Sequence, residues 1–310
     1  MAAIDAGTNT FRLLIADRQK GIRQPLCKEQ SIPRLGRDYI PEQGLAPISM
    51  ERALMVMKRF AALMESYQPE RMRAVATSVV REAKNSRQFV DRVAAETGIV
   101  LEIISGRQEA MLTAGGVLHA LPVAGQPLLI FDIGGGSTEF TLVAADGRVQ
   151  CATSFPFGVV KLTEQFLAEP VQKDLAQQQV AKEVDRCLEA VVEALRDSGN
   201  LPLPPATILT GTAGTMTSLA AIDQQLEKYR PELINGYQMS FARLQVLNDN
   251  LWQLDAPQRR RVPGLEAGRA DVILAGGIIA LRVMDRLGFD RVMISDDGLL
   301  EGVALSLFNH

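Results

Sequence analysis

The sequence is poor in the side chains that usually carry catalysis. Its 310 residues include two histidines, His119 and His310, and three cysteines, Cys27, Cys151 and Cys187. So few imidazoles leave little room for a histidine-ligated metal or a Ser-His-Asp nucleophile. His119 reads as a packing or helix C-terminal residue rather than a ligand. The cysteines lie far apart with no CxxC pair, which fits packed thiols in a reducing compartment and not a disulfide framework. The longest apolar stretch, Val272–Leu281, is too short to span a bilayer. The formal charge of −3 argues against a bulk nucleic-acid coat, so a polyanionic substrate has to meet a local basic patch. The opening Met1-Ala-Ala-Ile-Asp already reads as a strand, so no targeting segment is expected. These readings point to a cytoplasmic protein with neither membrane nor nucleic acid among its partners.

Hydrophobic residues are abundant, at 47%, enough for one large core or two ordinary ones. The stretch around which the chain is organised is Leu128-Leu-Ile-Phe-Asp-Ile-Gly-Gly-Gly-Ser-Thr-Glu-Phe-Thr-Leu-Val143. It reads as strand, glycine turn, strand. Gly134, Gly135 and Gly136 permit close backbone approach to a ligand. Their N–H groups, with the Ser137 and Thr138 hydroxyls, suit phosphate oxygens. Asp132 and Glu139 do not suit phosphate unless a cation or water lies between, so the set suggests metal-assisted phosphate chemistry. A plain glycine hairpin accounts for the glycines but not for both acids.

A second copy stands near the N-terminus, in Ala3-Ile-Asp-Ala-Gly-Thr-Asn-Thr-Phe-Arg-Leu-Leu-Ile-Ala-Asp17. Asp5 and Gly7 match Asp132 and Gly134 at an offset of 127 residues. The duplication predicts two related lobes, each offering a phosphate-gripping turn to one cleft, with Leu121–Pro127 as the hinge. Arg12 has two open readings, a phosphate contact or a solvated side chain.

Along the rest of the chain, helical spacing predicts a helix from an N-cap at Ser49 to Tyr67. A strand at Met72–Ala76 leads into Thr77-Ser-Val-Val-Arg-Glu, where Arg81 reads equally as a phosphate ligand or an ion-pair partner. Ser86 is expected to cap a helix to Thr97. Ser105-Gly-Arg-Gln-Glu opens another, whose first-turn Glu109 is explained by the helix dipole alone. Lys161 opens a further helix and reads as cleft-facing or solvated. A long helix is expected over Val171–Leu195. Thr210-Gly-Thr-Ala-Gly-Thr215 reads as a strand-to-helix loop for phosphate or nucleotide, without the lysine of a Walker A loop. Arg259-Arg-Arg261 is by default a solvated run.

Taken together, Asp5-Ala-Gly-Thr-Asn-Thr, Ala76-Thr-Ser-Val-Val-Arg-Glu-Ala-Lys-Asn, Ile104-Ser-Gly-Arg-Gln-Glu-Ala, Asp132-Ile-Gly-Gly-Gly-Ser-Thr-Glu, Gly211-Thr-Ala-Gly-Thr, Arg269-Ala-Asp-Val-Ile and Ser295-Asp-Asp-Gly-Leu resemble the Ppx/GppA family. That family comprises exopolyphosphatases and guanosine pentaphosphate phosphohydrolases, and the resemblance covers nearly the whole chain. It implies an α/β protein with the actin-like ATPase superfamily fold, two ribonuclease-H-like lobes around a central cleft. The lobes are expected at residues 1–121 and 122–310, with a last helix near 298–308 able to pack back on the first.

The resemblance implies Mg²⁺-dependent release of terminal phosphate from inorganic polyphosphate or from pppGpp. Glu109 matches the family's catalytic base, against the reading from the dipole alone. Asp132 and Glu139 match its catalytic, metal-holding acids. Gly7, Thr8, Asn9, Thr10, Gly134, Gly135, Gly136, Ser137 and Thr138 fall on its phosphate-gripping turns, and Arg81 on its phosphate-facing arginine. A terminal phosphoryl group needs charge neutralisation and an in-line water more than covalent help, so these roles are physically consistent. Family members often dimerise, so a homodimer is among the expected partners.

Three departures stand out. The first turn has Ala and Thr where Ile and Ser are usual. Lys161 replaces a common arginine, keeping charge but losing the planar fork. With the sequence ending at His310, the HD-like helical domain of longer members is expected to be absent, and with it come expectations of low processivity and short substrates. Other readings are a (p)ppGpp- or polyphosphate-binding regulator with little turnover and a sugar kinase of the same superfamily. The intact acids weigh against the first and the motif set against the second.

Overall fold

The computed structural model describes residues 1–123, 125–167 and 172–308. In chain order the elements are β1 (Ala2–Ala6), β2 (Phe11–Ile15), β3 (Cys27–Ser31), α1 (Pro47–Tyr67), β4 (Met72–Ala76), α2 (Ser78–Glu82), α3 (Ser86–Thr97), β5 (Leu101–Ile103) and α4 (Gly106–Ala120). They continue with β6 (Leu128–Ile133), β7 (Thr138–Val143), β8 (Val149–Phe155), α5 (Val159–Phe166), α6 (Lys173–Asp197), β9 (Ile208–Thr212), α7 (Ala213–Asp223), α8 (Pro231–Ile234) and β10 (Gln238–Ser240). Then follow α9 (Phe241–Gln253), α10 (Ala256–Arg259), α11 (Ile273–Leu287), β11 (Arg291–Ile294) and α12 (Leu299–Phe308). Val171, the expected start of the long helix, and His310 lie outside the described residues.

Two compact units result, Met1–Gly116 with Gly298–His310, and Val117–Asp297. The first holds a sheet in the order β3-β2-β1-β4-β5, the second one in the order β10-β11-β9-β6-β7-β8. Within each, the same wiring recurs: β1 runs antiparallel to β2 and parallel to β4, as β6 does to β7 and β9. β1 and β6 are buried along their whole length because each is flanked by strands on both sides and covered on both faces. That is why these two strands are continuous apolar runs rather than alternating ones.

In the first unit, α1 packs Met50, Ala53, Leu54, Met57 and Phe60 into a core shared with Ile4, Phe11 and Leu13. These positions follow the helical repeat of one apolar face. The helix starts two residues before the expected cap, with Pro47 in the first turn, where its missing N–H costs no hydrogen bond. Ser49 is fully buried and donates Oγ to the Arg37 carbonyl at 3.0 Å. Likewise Ser86 lies inside α3 and not at its cap. Asn85 precedes it, with its amide clamped on both backbone groups of Leu45.

The opposite face of that sheet is covered from the far end of the chain. Leu299, Leu300, Val303 and Ala304 of α12 pack on Ala3, Leu14, Val75 and Ile104. Gly302 makes the close approach possible, since a Cβ there would lie 1.8 Å from the Leu112 carbonyl oxygen of α4. A backbone atom cannot swing aside as a side chain can. Gly302→Ala is therefore expected to destabilise the protein by about 1–3 kcal/mol, an overpacking cost. Denaturant unfolding checks it, and an unchanged midpoint would mean that α12 is not held against α4.

In the second unit, the expected Thr210–Thr215 loop does not form. β9 continues to Thr212, opposite Asp132 on β6, and α7 starts at the next residue. The ladder claims Gly211 and Thr212 because β9 is a central strand. The Thr212 hydroxyl then donates to the carbonyls of Ser295 and Asp297, at 3.0 and 3.1 Å. Arg260 and Arg261 are exposed, in line with the solvated reading of the run, and only Arg259 departs from it. Arg259 donates to the carbonyls of Leu254 and Ala270, at 2.7 and 2.9 Å, as a structural clamp.

Candidate active site

Each unit carries one tight turn between its antiparallel central strands, and the two turns are built alike. Gly7 N donates to Thr10 O at 3.1 Å, and Gly134 N to Ser137 O at 3.0 Å. A second segment braces each turn from outside. In the first unit, Gly36 N and Arg34 N donate to the carbonyls of Thr8 and Asn9, at 2.8 and 3.1 Å. In the second, Val159 N and Val160 N at the start of α5 donate to the carbonyls of Gly134 and Gly135, at 3.0 and 2.8 Å.

A planar trans peptide points its C=O and the following N–H in opposite directions. Tying down those four carbonyls therefore turns the N–H groups of Asn9, Thr10, Gly135 and Gly136 away from the braces. Among the described residues none of these four N–H groups donates to the protein. Adjacent, unsatisfied backbone donors of this kind favour an anion.

The hydroxyls on these turns are used differently from expectation. Thr138 Oγ1 is fully buried and donates to Phe157 O at 2.7 Å. Ser137 Oγ donates to Glu139 Oε1 at 2.6 Å. Thr8 Oγ1 accepts from Val79 N at 3.3 Å, tying the first turn to α2. At Thr8, Ser137 and Thr138 the hydroxyls thus fix the scaffold, while the outward N–H groups of Asn9, Thr10, Gly135 and Gly136 remain as donors.

Asp132 and Glu139 are directly opposed across β6 and β7, and both are buried. Ser154, opposite Glu139 on β8, gives that carboxylate a second hydroxyl donor on Oε1 at 2.6 Å. Two hydroxyls on one oxygen fix the carboxylate plane. Strand alternation could have pointed to Ser154, but only once the β7–β8 register was known.

The first turn has the same two positions with different chemistry. At the offset of 127, Glu139 corresponds to Arg12, which sits opposite Asp5. Arg12 Nε and Nη2 both donate to Asp5 Oδ2, at 3.0 and 2.7 Å. So Arg12 is neither solvated nor committed to phosphate. Burial pushes the Asp5 carboxyl above its ordinary range, and the Arg12 guanidinium opposes that shift.

The two turns are therefore unlike: the acid of the first has an arginine as its cross-strand partner, whereas Asp132 of the second has another acid. Among the described residues no group of three or more His, Cys, Asp or Glu side chains is arranged to hold a metal. The donor set at the second turn is thus two carboxylates, which suits a hard ion that keeps several waters, as Mg²⁺ does.

Glu109 is placed by the start of α4. Ser105 Oγ accepts from Gln108 N at 3.2 Å, and Gln108 Oε1 accepts from Ser105 N at 2.9 Å, a reciprocal cap. The cap sets Glu109 in the first turn with 7% of its surface exposed. Arg81, in the last turn of α2, donates Nη1 to Glu109 Oε2 at 2.9 Å and to Ile104 O at 3.0 Å. The ion-pair reading of Arg81 is therefore realised, and its partner is the acid singled out as a base. Lys161 lies in the first turn of α5, half-buried, beside the braced glycines.

A buried acid that sequence reasoning missed is Glu301, in the first turn of α12. It accepts from Gly298 N at 3.0 Å and lies 3.0 Å from Lys28 Nζ. The apolar neighbours of Glu301 in the sequence carry no hint of that pairing.

Comparisons with known proteins bear on this arrangement. The pattern of the Ppx/GppA phosphatase family matches residues 14–310. Exopolyphosphatase 2 of Mycobacterium tuberculosis is 34% identical, over 99% of this chain and 98% of that protein. The crystal structure of an exopolyphosphatase from Cytophaga hutchinsonii superposes with a TM-score of 0.88 at 28% identity, covering 99% of this chain and 97% of that one. A Ppx/GppA family member from Aquifex aeolicus gives 0.78 at 29%, covering 99% and 96%. With an α/β chain of two similarly wired sheets and a family match over almost its full length, this protein belongs to the Ppx/GppA phosphatase family, a phosphoanhydride hydrolase with the actin-like ATPase fold.

Proposed function

We propose that this protein is a Mg²⁺-dependent exopolyphosphatase that releases orthophosphate from the end of inorganic polyphosphate. The observation that carries the reading is the second turn, where outward N–H groups of Gly135 and Gly136 adjoin the opposed acids Asp132 and Glu139. A polyphosphate end is dense in anionic oxygens that need donors and counter-charge, and this turn supplies the first and the seat for the second. Exopolyphosphatase is also the name borne by similar proteins of matching length.

In the proposed reaction the N–H groups of Asn9, Thr10, Gly135 and Gly136 hold non-bridging phosphate oxygens. Asp132 and Glu139 hold Mg²⁺, which when bound neutralises charge on the phosphoryl oxygens. Arg81 keeps Glu109 oriented through Oε2. Glu109 takes a proton from the attacking water as its oxygen bonds to the terminal phosphorus. The bridging P–O bond breaks, and the shortened chain leaves with the electron pair while orthophosphate is released. In-line displacement at phosphorus asks for little more than this positioning and electrostatics.

The test is phosphate release from polyphosphates of defined length and from pppGpp, with Mg²⁺ and with excess chelator. Release from polyphosphate that stops on chelation is the expected result. The length series also tests the expected preference for short chains. Release chiefly from pppGpp would replace polyphosphate with that nucleotide as substrate, and no release from either would refute the enzyme reading.

A further inference from the structure

Cross-strand partners form one polar row across the second sheet. Thr212 of β9 lies opposite Asp132 of β6, Asp132 opposite Glu139 of β7, and Glu139 opposite Ser154 of β8. Side chains directly opposite one another share a face of the sheet, so the row has a hydroxyl at each end and two acids between. The Thr212 hydroxyl is spent on the carbonyls of Ser295 and Asp297. The Ser154 hydroxyl instead turns along the row, to Glu139 Oε1 at 2.6 Å. Ser137 reaches the same oxygen from two residues earlier in the chain, also at 2.6 Å. Neither serine side chain has another hydrogen-bond partner among the described residues.

Sheet architecture does not call for serine at position 154. β8 is an edge strand of its sheet, and threonine or valine would hold its extended backbone better. A buried acid does call for donors, and Glu139 has 2% of its surface exposed. That need does not explain why both hydroxyls converge on one oxygen. A carboxylate oxygen offers about two lone-pair sites, and two short O–H···O bonds use them. While the two serines hold Oε1, Glu139 cannot chelate a cation with both of its oxygens.

That restriction separates hard ions by size. Ca²⁺ is large, gathers many oxygens and readily takes a carboxylate through both atoms. Mg²⁺ is smaller, demands an octahedral shell and completes it with water, so it loses little when chelation is denied. We infer that Ser154 is a positioning residue that, with Ser137, sets the ion preference of this seat: by holding Oε1 it denies Glu139 the two-oxygen mode and favours Mg²⁺ over Ca²⁺. This rests on the proposed assignment of Asp132 and Glu139 as the cation's seat.

The test titrates Ca²⁺ and Mg²⁺ into the full chain by calorimetry, for wild type, Ser154→Ala, Ser154→Cys and Ser154→Thr. Melting curves and Mg²⁺-dependent phosphate release are measured beside it. Ser154→Ala should raise the affinity for Ca²⁺ relative to Mg²⁺ by about tenfold, because Oε1 gains an open site. Ser154→Cys has a weaker donor and should shift the ratio the same way, by less. Ser154→Thr keeps the hydroxyl and should stay within about twofold of wild type. A serine that only satisfies a buried charge would lower the melting temperature and weaken both ions alike. An unchanged ratio in Ser154→Ala and Ser154→Cys therefore overturns the inference. If the ratio shifts as expected but wild type releases no phosphate from polyphosphate, the ion preference stands and the exopolyphosphatase reading falls. If phosphate is released with Mg²⁺ and Asp132→Asn binds both ions as wild type does, the hydrolase reading stands and the inference falls with its seat.

Discussion

Glu109→Gln should lower kcat for phosphate release by about 10²–10⁴-fold, the usual contribution of a positioned general base. KM should stay within about twofold, because the N–H groups proposed to hold phosphate lie on other segments and are untouched. The substitution is nearly isosteric and retains an acceptor for the Arg81 Nη1 donor seen at 2.9 Å, so the fold should survive. A melting curve beside the kinetics separates lost chemistry from lost structure. Arg81→Lys offers a graded companion: it keeps a charge, but its shorter ammonium does not sit where Arg81 Nη1 meets both Glu109 and the Ile104 carbonyl, so an intermediate kcat is expected. If Glu109→Gln retains wild-type turnover, the water is activated elsewhere and the proposed role of Glu109 is wrong.

Asp132→Asn is expected to be nearly as severe for a different reason. It keeps the shape of the side chain opposite Glu139 and removes one of the two charges there. A hard divalent ion held by two carboxylates and water loses much of its attraction when one becomes an amide. The Mg²⁺ concentration for half-maximal activity should rise at least about tenfold, and kcat at saturating Mg²⁺ should fall by about 10²–10³-fold, a few kcal/mol of lost charge stabilisation. Activity plotted against Mg²⁺ for both proteins decides it. A curve that drops in height without moving along the Mg²⁺ axis would place the ion on other residues. Arg12 sharpens the contrast, since the equivalent acid of the first turn already carries its own counter-charge.

Much of this was legible in the chain itself. The two Asp-x-Gly turns, their offset and the apolar runs before them predict matched strand–turn–strand units, and the sheets have that wiring. The signal is strong because central strands buried on both faces have little compositional freedom. The acids Asp132 and Glu139 stand out for the opposite reason, as charged residues on an apolar hairpin, whereas Glu109 is explained by the helix dipole and is singled out only by the family resemblance. Less legible was what each polar group bonds to. Thr138 reads as a phosphate contact beside the glycines, yet the register of β7 turns its hydroxyl to Phe157. Arg12 looks unassigned until β1 and β2 are paired and Asp5 lies across from it. Arg259 reads as a solvated charge because two accepting carbonyls, Leu254 and Ala270, are visible only in three dimensions. Periodicity in sequence reports which face is apolar; it carries little about which donor meets which acceptor.

The route of the chain also constrains how the protein is made. The first sheet is assembled from residues near the N-terminus, but Ala3, Leu14 and Val75 are covered on one face by Leu300 and Val303. Those partners emerge from the ribosome only after the whole second unit has been synthesised. Contacts of such long sequence separation carry a loop-closure cost and form slowly. During translation the first sheet therefore waits with an uncovered apolar face, the kind of exposed surface on a partly folded chain that invites aggregation and chaperone capture. Docking of α12 is consequently a late folding event that closes the first unit's core.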